Sequence, residues 1–547
     1  MRPPRRPPHS LLFSLSASAL LATAASCVTG AGATAPGPAE PGAPAAAPAP
    51  ASPAPPAPPA PAPEAPPAPP APPPAPAGVQ VRDWSGDVIY FVLIDRFANG
   101  DVSSDVQVDP KQKGHFHGGD LKGLMDRLDE IASLGVTAIW INPVLKNIEG
   151  PVYGAGFPDY GYHGYWADDF TKLDPRFGTE EQLKAFVDAC HGRGIRVLLD
   201  VVYNHCGYLC SYLNSPKTKG WLRSNETNTC GSDDITSCVA GLPDFKTEQP
   251  EVAKFLLDAQ IGWAKKLQLD GFRLDTVKHV AMDFWKEHRA RTRAELGPGF
   301  FLLGEVWGGD REVLDPYFEP DVMEAGFDFG FQGSTVGFLK GRGRTVAFDA
   351  YLRSRHKVRK GHYLSHFLSS HDVKGTITEL DGSVPLFRLA AVLQMTTAGI
   401  PVVYYGEEVA RKIGDWPENR SDMPWGGRDI TPGKGIKRDE ALRADYVKLI
   451  ALRKAHPAFS RGKHQGLATD GDLYVFSRED ESSGDAVVVA INRGKAPATV
   501  ALAPPAAWGE QPVLDLFGAG PRPAKDARTG AYNLTVAGRQ ARILGVK

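Results

Sequence analysis

The sequence predicts an α/β protein built on a (β/α)8 TIM barrel, with a small inserted domain after the third strand and a C-terminal antiparallel β-sandwich domain. Three observations predict this fold. From residue 83 to 457, short apolar runs alternate with amphipathic runs of helical period, as expected for strand–helix units. Residues 206–243 have no clear period and interrupt that alternation after the third apolar run. From 458 to 547, short alternating runs are separated by turn residues, which is typical of antiparallel β structure.

The elements of the barrel follow in chain order from their apolar runs. The predicted strands cover residues 88–97, 136–144, 195–202, the short run at Phe272, 301–306, 325–329, 362–368 and 400–405. Helices are predicted over 121–134, 181–191, 252–267, 345–355, 386–397 and 442–456, where apolar residues recur every three or four positions. In the C-terminal domain, strands are predicted at 473–476, 486–491, 499–502, 513–516 and 541–546. Eight strand–helix units of this total length fit a barrel with insertions.

The N-terminus has the composition of an export signal. Three arginines within positions 2–6 precede an apolar run over 11–25, which predicts a secretory signal peptide over 1–26. The run is too short for a stable membrane span. It ends in Ala-Ala-Ser before Cys27, a pattern similar to a bacterial lipobox, so Cys27 is a candidate for acylation. The alternative is ordinary signal-peptidase cleavage nearby.

A linker rich in Ala and Pro follows, over residues 27–82. Such a composition cannot bury a core, and it predicts a disordered, semi-rigid spacer. A spacer directly after a candidate lipid anchor predicts an exported lipoprotein of the outer membrane or cell surface. Without acylation the protein would be extracellular. Any attachment to a membrane would be through the lipid anchor only.

The composition of the whole chain is that of a globular protein, and it excludes one class of partner. Of its 547 residues, 42% are hydrophobic and 23% are charged. The formal net charge of −2 leaves no basic excess to neutralise phosphates, so no nucleic-acid partner is predicted. The sequence does not indicate the oligomeric state.

The segment 206–243 carries four clustered cysteines, which in an exported protein predict two disulfides. They are Cys206, Cys210, Cys230 and Cys238. Three connectivities are open, of which we favour the sequence-local pairing 206–210 with 230–238. A metal site is the alternative, although no Cys-x2-Cys spacing is present. Cys190 stands alone in a predicted helix and is expected to be a small buried hydrophobe.

Carboxyl groups stand at the ends of the fourth and fifth predicted strands, the edge at which barrels of this kind place their active sites. Side chains alternate along a strand, so Arg273 and Asp275 share a face, and the cation favours the ionised carboxylate. Alone, such an Arg-x-Asp pair would more often be a structural ion pair. Glu305 follows the apolar run 301–303, a setting that raises the pKa of a carboxyl group and keeps it protonated.

The ends of the third and seventh strands add two histidines and another carboxylate, in Asn204-His205 and His371-Asp372. Two carboxyl groups with different pKa values on either side of a bond are what glycoside hydrolysis requires. Together, the four strand ends resemble the conserved regions of the α-amylase family, glycoside hydrolase family 13, over about residues 85–545. The resemblance implies a retaining double-displacement hydrolase of α-glucans.

The resemblance also implies roles for individual residues. Asp275 would be the nucleophile, Glu305 the general acid and base, and Asp372 would bind sugar hydroxyls and favour the distorted ring. Arg273 would hold the nucleophile. Further substrate contacts would come from His205, His371, Tyr165, His163, Trp166, Lys278 and His279. Among these, Tyr165 would stack on the sugar in the cleavage subsite, and the last two would contact the sugar on the leaving-group side.

Calcium is the cofactor that the resemblance implies, because hard oxygen ligands suit Ca2+. The first site would use the side chains of Asn204 and Asp244 with the carbonyl of His279. A second loop resembles another calcium site of neopullulanases, with ligands at Asn99, Asp101, Ser104, Asp105, Gly118 and Asp120. Ser104 stands where Asn is usual, and the alternative is a solvated, Asp-rich turn.

Within the family, two groups of motifs point to different activities. The motifs at 278–279 and 242–244 resemble those of α-amylases, whereas the motif at 416–425 resembles that of neopullulanases and cyclomaltodextrinases. We expect an endo-acting α-amylase on α-1,4-glucosidic bonds of starch or glycogen. The alternatives are a neopullulanase- or cyclomaltodextrinase-type enzyme, a transglycosylase, or a surface lipoprotein that binds glucan without turnover.

Overall fold

A computed structural model describes residues 83–518 and 520–546. The predicted signal peptide over 1–26, the linker over 27–82 and Cys27 lie outside the described residues and stay predictions. Among the residues described, no helix combines the length and the apolar character that crossing a bilayer requires.

Eight parallel strands form a closed barrel, which confirms the predicted fold. The first strand pairs with the second and also with the eighth, and this pairing closes the sheet. In chain order the strands are Ile89–Val92, Ala138–Ile141, Arg196–Val201, Gly271–Leu274, Phe301–Gly304, Ala325–Phe327, Tyr363–Phe367 and Ile400–Tyr404. Nearly all of their residues are buried, because helices cover the outside of the sheet and side chains fill its interior.

Helices connect the strands, and the sequence provides the caps at which several of them begin. Thr179 and Gln182 form a capping box, Asp439 caps the last long helix, and Pro250 opens another. The helices are Leu121–Asp126, Leu128–Ala132, Glu180–His191, Pro250–Leu267, Met282–Leu296, Arg311–Phe318, Gly330–Leu339, Thr345–Ser354, Thr376–Glu379, Val384–Thr396, Glu440–Ala455 and Pro457–Ser460.

Two predicted elements are shorter than their apolar runs. The first strand ends at Val92 and not at residue 97, because the side chain of Asn142 accepts the hydrogen bond from the Ile94 N–H at 2.8 Å and a 3-10 turn follows. The helix predicted over 121–134 is two short helices, because Arg127 adopts φ −110° and ψ 9° between them.

A hairpin between the second and third barrel strands was not apparent from the apolar periodicity. Its strands, Leu145–Asn147 and Ala167–Leu173, are antiparallel and interrupted by register shifts. The loop that they support holds residues 162–166, four of which are buried. Because one face of the hairpin is exposed and its partners are irregular, it lacks the continuous apolar run of a barrel strand.

The inserted segment after the third strand consists mainly of turns, as its lack of period predicts. Its short strand Leu222–Arg223 pairs with Asp244–Phe245, directly after the segment. Disulfides join Cys206 to Cys210 and Cys230 to Cys238, the sequence-local pairing favoured above; Cys190 is buried and takes no part in a disulfide.

The C-terminal domain is formed by two antiparallel sheets. The larger contains Lys463–Ala468, Leu473–Asp480, Asp485–Asn492, Gln540–Gly545 and Leu514–Asp515, and the smaller Ala498–Leu502, Tyr532–Val536 and Ala524–Lys525. Val488 of the larger sheet and Leu534 of the smaller one belong to the same buried cluster, which also holds Trp508. The two sheets therefore share one core, as in the predicted sandwich.

Candidate active site

The guanidinium of Arg273 lies at the centre of the polar groups at the mouth of the barrel. Its Nη1 donates to Asp275 Oδ1 at 2.6 Å, and its Nη2 lies 3.2 Å from Glu305 Oε1. All three residues are almost fully buried. The alternation along the fourth strand therefore does what the sequence predicts: it turns Arg273 and Asp275 to the same side, where the neighbouring strand places Glu305.

A third carboxylate, Asp200, completes the set around Arg273 and was not among the predicted site residues. Arg273 Nη1 donates to Asp200 Oδ1 at 3.0 Å, while the Tyr165 hydroxyl and the Trp140 indole N–H donate to its Oδ2 at 2.7 and 3.1 Å. Burial raises the pKa of Asp200, and nearby Asp275 raises it further, although Arg273 opposes both effects. Asp200 lies near the end of the third strand, shortly before Asn204-His205, and this position is the sequence feature that identifies it as a candidate site residue.

Glu305 has the environment of a proton donor. Burial raises the pKa of Glu305, the negative charge of Asp275 adds to the rise, and Arg273 opposes it. The Thr276 N–H donates to Glu305 Oε2 at 2.9 Å, and Thr276 reaches it with a left-handed φ of 48°. A β-branched residue in that region is strained, and such strain clusters where a backbone group must be aimed at a functional atom.

Asp372 is the third predicted catalytic residue, and its surroundings differ from those of Glu305. Its side chain keeps 30% of its surface exposed in the cleft and contacts His371 Nε2 at 3.0 Å and Arg420 Nη2 at 3.1 Å. Burial alone would raise the pKa of Asp372, but His371 and Arg420 together lower it, so this carboxylate is ionised. Arg420 also donates to the His371 carbonyl at 3.1 Å. We did not predict Arg420 as a site residue, although it lies in the motif at 416–425.

The predicted aromatic and histidine residues surround these carboxylates. The rings of Tyr165 and His371 stack with centroids 5.2 Å apart, and the Tyr165 N–H donates to His163 Nδ1 at 3.1 Å. Burial lowers the pKa of His163, His205 and His371, so these imidazoles are neutral and can exchange hydrogen bonds with a polar ligand. Trp166 packs edge-on against His163 and is half-buried.

An open cleft of about 360 Å³ lies above these groups and brings most of the predicted substrate contacts together. Asp275, Glu305 and Asp372 all line it. At the inserted segment, Lys278 Nζ lies 3.5 Å from Asp234 Oδ1, and His279 Nδ1 lies 2.7 Å from the Asp234 carbonyl. Outside the prediction, the cleft is also lined by Asp159, Tyr208, Trp307, Trp416 and Arg420.

Three oxygens converge at the predicted first calcium site. The side-chain oxygen of Asn204 lies 3.0 Å from Asp244 Oδ1 and 2.8 Å from the His279 carbonyl oxygen, so three acceptors face one another. A cation bound between them would interact favourably with all three acceptors. In the opposite orientation of the Asn204 amide, its nitrogen would instead donate hydrogen bonds to the other two oxygens. The other oxygen of Asp244 accepts from Arg223 at 2.8 Å, and burial raises the pKa of Asp244 to about 7. The donor set is all oxygen and fits Ca2+.

The predicted second calcium loop is compact. The Asn99 amide donates to both oxygens of Asp105 at 2.9 and 3.0 Å, and Asp120 Oδ2 accepts from the Asp101 N–H at 2.8 Å. Ser104 Oγ donates to the Asp101 carbonyl at 2.8 Å. A side chain at Gly118 would collide with the Asn99 amide and Asp105. The predicted ligands thus lie together, but hydrogen bonds within the loop already occupy several of them.

At neither predicted calcium site, both of which the structure describes, do acidic side chains alone form a metal-binding group. Within residues 83–518 and 520–546, no group of three or more His, Cys, Asp and Glu side chains is arranged to hold a metal ion. A calcium ion at either place would therefore be bound with the help of neutral oxygens, which Ca2+ accepts readily.

Comparison with known proteins gives a consistent result. The family model "Alpha amylase, catalytic domain" matches residues 91–227 and 221–444. The chain is 30% identical to a cyclomaltodextrinase of Geobacillus thermopakistaniensis, over 77% of this chain and 71% of the relative. It is also 30% identical to neopullulanase 2 of Thermoactinomyces vulgaris, covering 76% of this chain and 70% of the relative, and to the periplasmic alpha-amylase of Escherichia coli, covering 76% and 73%.

Solved structures agree with the sequence comparisons. The alpha-amylase from Geobacillus thermoleovorans, solved in complex with acarbose, superimposes with a TM-score of 0.72 at 31% identity. The match covers 85% of this chain and 99% of that one. A cyclomaltodextrinase structure aligns with a TM-score of 0.70 at 28% identity, over 84% of this chain and 78% of the other.

Proposed function

Because the chain belongs to the α-amylase family and is a retaining glycoside hydrolase, we propose that it hydrolyses α-1,4-glucosidic bonds in cyclic and short linear maltooligosaccharides. The observation that carries the chemistry is the pair of carboxyl groups, Asp275 and Glu305, held on one buried guanidinium at the mouth of the barrel. Relatives named cyclomaltodextrinase and neopullulanase favour this activity over the endo-acting α-amylase expected above.

Asp275 is suited to act as the nucleophile. Arg273 Nη1 donates a hydrogen bond to Asp275 Oδ1 at 2.6 Å, and this contact keeps the carboxylate oriented toward the cleft. Attack on the anomeric carbon gives a glycosyl-enzyme ester, and the departing sugar oxygen needs a proton. Because its pKa is raised, Glu305 holds that proton and can donate it, and it then accepts a proton from the attacking water.

Asp372 and the neutral histidines are suited to hold the sugar during this reaction. A carboxylate that is ionised and partly exposed can accept hydrogen bonds from two adjacent hydroxyls. Tyr165, stacked on His371, offers an apolar face for the ring of the same sugar. Together these groups would favour the ring distortion that an oxocarbenium-like transition state requires.

Substrate choice is the direct test of this proposal. We expect faster turnover, as kcat/KM, on β-cyclodextrin and maltohexaose than on soluble starch, and the first products released should be α-anomers by proton NMR. A preference for starch with a rapid fall in its viscosity would favour the endo-acting α-amylase, a reading that relatives named alpha-amylase also support. Products longer than the substrate would instead indicate transglycosylation.

We propose that calcium stabilises the junction between the inserted segment and the barrel. Asn204 follows the third strand, Asp244 follows the inserted segment, and His279 follows the fourth strand. One ion would therefore link three chain segments. The ion would supply structural charge there, at a distance from the bond being cleaved.

Exhaustive chelation is expected to lower the melting temperature and the activity together. A ligand that binds only the native state stabilises it by about 2.7 kcal/mol at 100 times its Kd, and removal of the ion reverses this. Differential scanning fluorimetry with and without Ca2+ measures the shift. Asn204→Ala should sharply reduce it, whereas Asp129→Ala, which removes an exposed carboxylate outside both predicted calcium sites, should leave it. A melting temperature that changes neither after chelation nor after addition of Ca2+ would contradict the proposal.

A further inference from the structure

A strongly basic segment, residues 353–362, lies at the end of the barrel opposite the cleft. It reads Arg-Ser-Arg-His-Lys-Val-Arg-Lys-Gly-His, with five Lys or Arg, two His and no acidic residue. The whole chain is balanced, with 61 Lys and Arg against 63 Asp and Glu, so this segment departs sharply from the average. It leads into the seventh strand, which begins at Tyr363. The segment is therefore at the amino ends of the strands, whereas Asp275 and Glu305 follow the carboxyl ends.

A cavity of about 500 Å³ opens beside the basic segment, between the amino ends of the seventh and eighth strands and the start of the C-terminal domain. Lys360 is exposed there, and within the described residues no carboxylate pairs with its ammonium group, so its three N–H donors are available. The polar residues that line the cavity include Asp83, Arg355, His356, Lys360, Tyr363 and Arg461.

His356 contributes a second available donor to this cavity. Arg478 Nη1 lies 2.7 Å from His356 Nε2, and because a guanidinium can only donate, Nε2 is the acceptor and the ring hydrogen is on Nδ1. Partial burial lowers the pKa of His356 to about 3, and the positive charge of Arg478 adds to the fall, so the ring is neutral. The residue is exposed, and its Nδ1–H can therefore be donated to a ligand.

The wall behind these donors carries an excess of positive charge. Burial lowers the pKa of Arg355, Arg453 and Arg478 to about 9; Arg453 lowers that of Arg355 further, and both lower that of Arg478. All three are still charged at neutral pH. Among the described residues, Asp328 pairs with Arg355 and Asp87 raises the pKa of Arg453, so two carboxylates stand against three guanidiniums. The potential in the cavity is therefore positive.

The carboxylate in the cavity, Asp83, offsets only part of this charge. It accepts hydrogen bonds from the Tyr363 hydroxyl at 3.0 Å and the Ser85 N–H at 2.8 Å, and it lies 3.6 Å from Arg461 Nη1. Its nearest cation is thus Arg461 and not Lys360. An anion that enters the cavity would still find an uncompensated ammonium group.

We infer that this cavity binds the phosphate group of a phosphate ester, with Lys360 Nζ and His356 Nδ1–H as its main donors. Phosphate carries several strong acceptor oxygens and a charge that would offset the buried guanidiniums. The cavity is larger than a phosphate ion and leaves room for the alcohol part of the ester. A soluble phosphate ester and the headgroup of an anionic phospholipid both offer this chemistry. The inference does not depend on the proposed function, because it concerns the other end of the barrel.

Two sets of probes test the inference and distinguish the sources. Isothermal titration of the full chain with inorganic phosphate and with glycerol 3-phosphate, at low ionic strength, measures binding of soluble ligands. Co-sedimentation with vesicles of phosphatidylglycerol and phosphatidylcholine, against phosphatidylcholine alone, measures binding of a headgroup. The vesicle experiment uses a Cys27→Ala background, so that acylation cannot attach the protein.

Lys360→Glu is expected to weaken binding of whichever probe binds by roughly 10-fold or more, as for a lost hydrogen bond between charged groups, while Lys360→Arg should retain most of it. The melting temperature and kcat/KM on maltohexaose should not change, because Lys360 is exposed and lies outside the cleft. Binding of the soluble probes alone assigns the site to a soluble ester, and binding of the anionic vesicles alone assigns it to a headgroup; both support the inference.

Two charge-reversal controls separate the cavity from general surface charge. Lys357→Glu makes the same charge change in the basic segment at an exposed position that does not line the cavity, and it should weaken binding less than Lys360→Glu. Lys219→Glu, in the inserted segment, should leave binding near the wild-type value. Equal losses in Lys357→Glu and Lys360→Glu, or no binding of any probe by the wild type, would overturn the inference and leave the proposed hydrolase activity untouched.

Discussion

Asp275→Asn is expected to abolish turnover of every α-glucan, with kcat reduced by several orders of magnitude and the fold unchanged. The amide has nearly the shape of the carboxylate and still accepts a hydrogen bond from Arg273, so packing is preserved. It cannot form the glycosyl-enzyme ester, and each step of the double displacement depends on that ester. Steady-state assays on maltohexaose and β-cyclodextrin, with circular dichroism as the check of folding, measure the effect.

Glu305→Gln should lose activity in a way that depends on the leaving group. General acid catalysis contributes roughly 10²- to 10⁴-fold, and that contribution is needed only when the departing oxygen requires a proton. With α-maltosyl fluoride, fluoride leaves without one, so the first step should survive in Glu305→Gln and fail in Asp275→Asn.

Asp310→Asn is a matched control for both changes, since Asp310 caps a helix outside the cleft. Asn caps a helix as well as Asp does, so this variant should keep its fold and leave kcat/KM near the wild-type value. Near-normal turnover of maltohexaose by Asp275→Asn, or equal losses of both variants on the fluoride, would contradict the assigned roles.

The parts of the site that sequence predicts are those encoded within one strand end. Arg273 and Asp275 lie two residues apart on the same face, so a local alternation brings them together. Glu305 follows a short apolar run, and the burial that raises its pKa follows from that run. For these residues the local pattern and the barrel geometry suffice, because the carboxyl ends of all strands share one mouth.

The parts that sequence misses depend on contacts between distant segments. Asp200 lies 73 residues before Arg273, and Arg420 lies 48 residues after Asp372. The periodicity of apolar residues along the sequence does not indicate which distant residues come into contact in this way. Asp159 stands in an irregular segment, and its burial at the cleft distinguishes it from a solvated turn residue.

Secondary structure was missed for a related reason. The helix Met282–Leu296 has only five buried residues among fifteen, and most of its other side chains are polar or charged. Its apolar periodicity is therefore too weak to predict a helix from the sequence. The hairpin that supports Tyr165 has register shifts and exposed positions, which break the alternation expected of a strand. Tertiary packing stabilises both elements, and it is not visible in a local window.

Arg273→Met is expected to cost both stability and activity, since Arg273 is the cation that three carboxyl groups share. Asp200, Asp275 and Glu305 all contact it, and Arg273 is 1% exposed. Removing one partner of a buried charge pair typically costs about 3–5 kcal/mol, because the remaining charge is left desolvated and unpaired. Urea denaturation followed by tryptophan fluorescence measures the change in the free energy of unfolding.

The loss of activity in Arg273→Met has a separate cause, which a second change can isolate. Without the cation, the pKa values of Asp200 and Glu305 rise further, and Asp275 loses the hydrogen bond that orients its oxygen toward the cleft. Adding Asp200→Asn removes one negative charge from the cluster, so Arg273→Met/Asp200→Asn should recover part of the stability. It should recover little activity, because Asp275 still lacks the contact that keeps it oriented.

Arg273→Lys tests whether charge alone is sufficient. Lysine keeps the positive charge but presents a single ammonium group, whereas the guanidinium reaches Asp275 through Nη1 and Glu305 through Nη2. We therefore expect a smaller loss of stability than in Arg273→Met but a loss of kcat nearly as large. Wild-type kcat in Arg273→Lys would mean that the cation only compensates charge, and that the strand geometry by itself positions the two carboxyl groups.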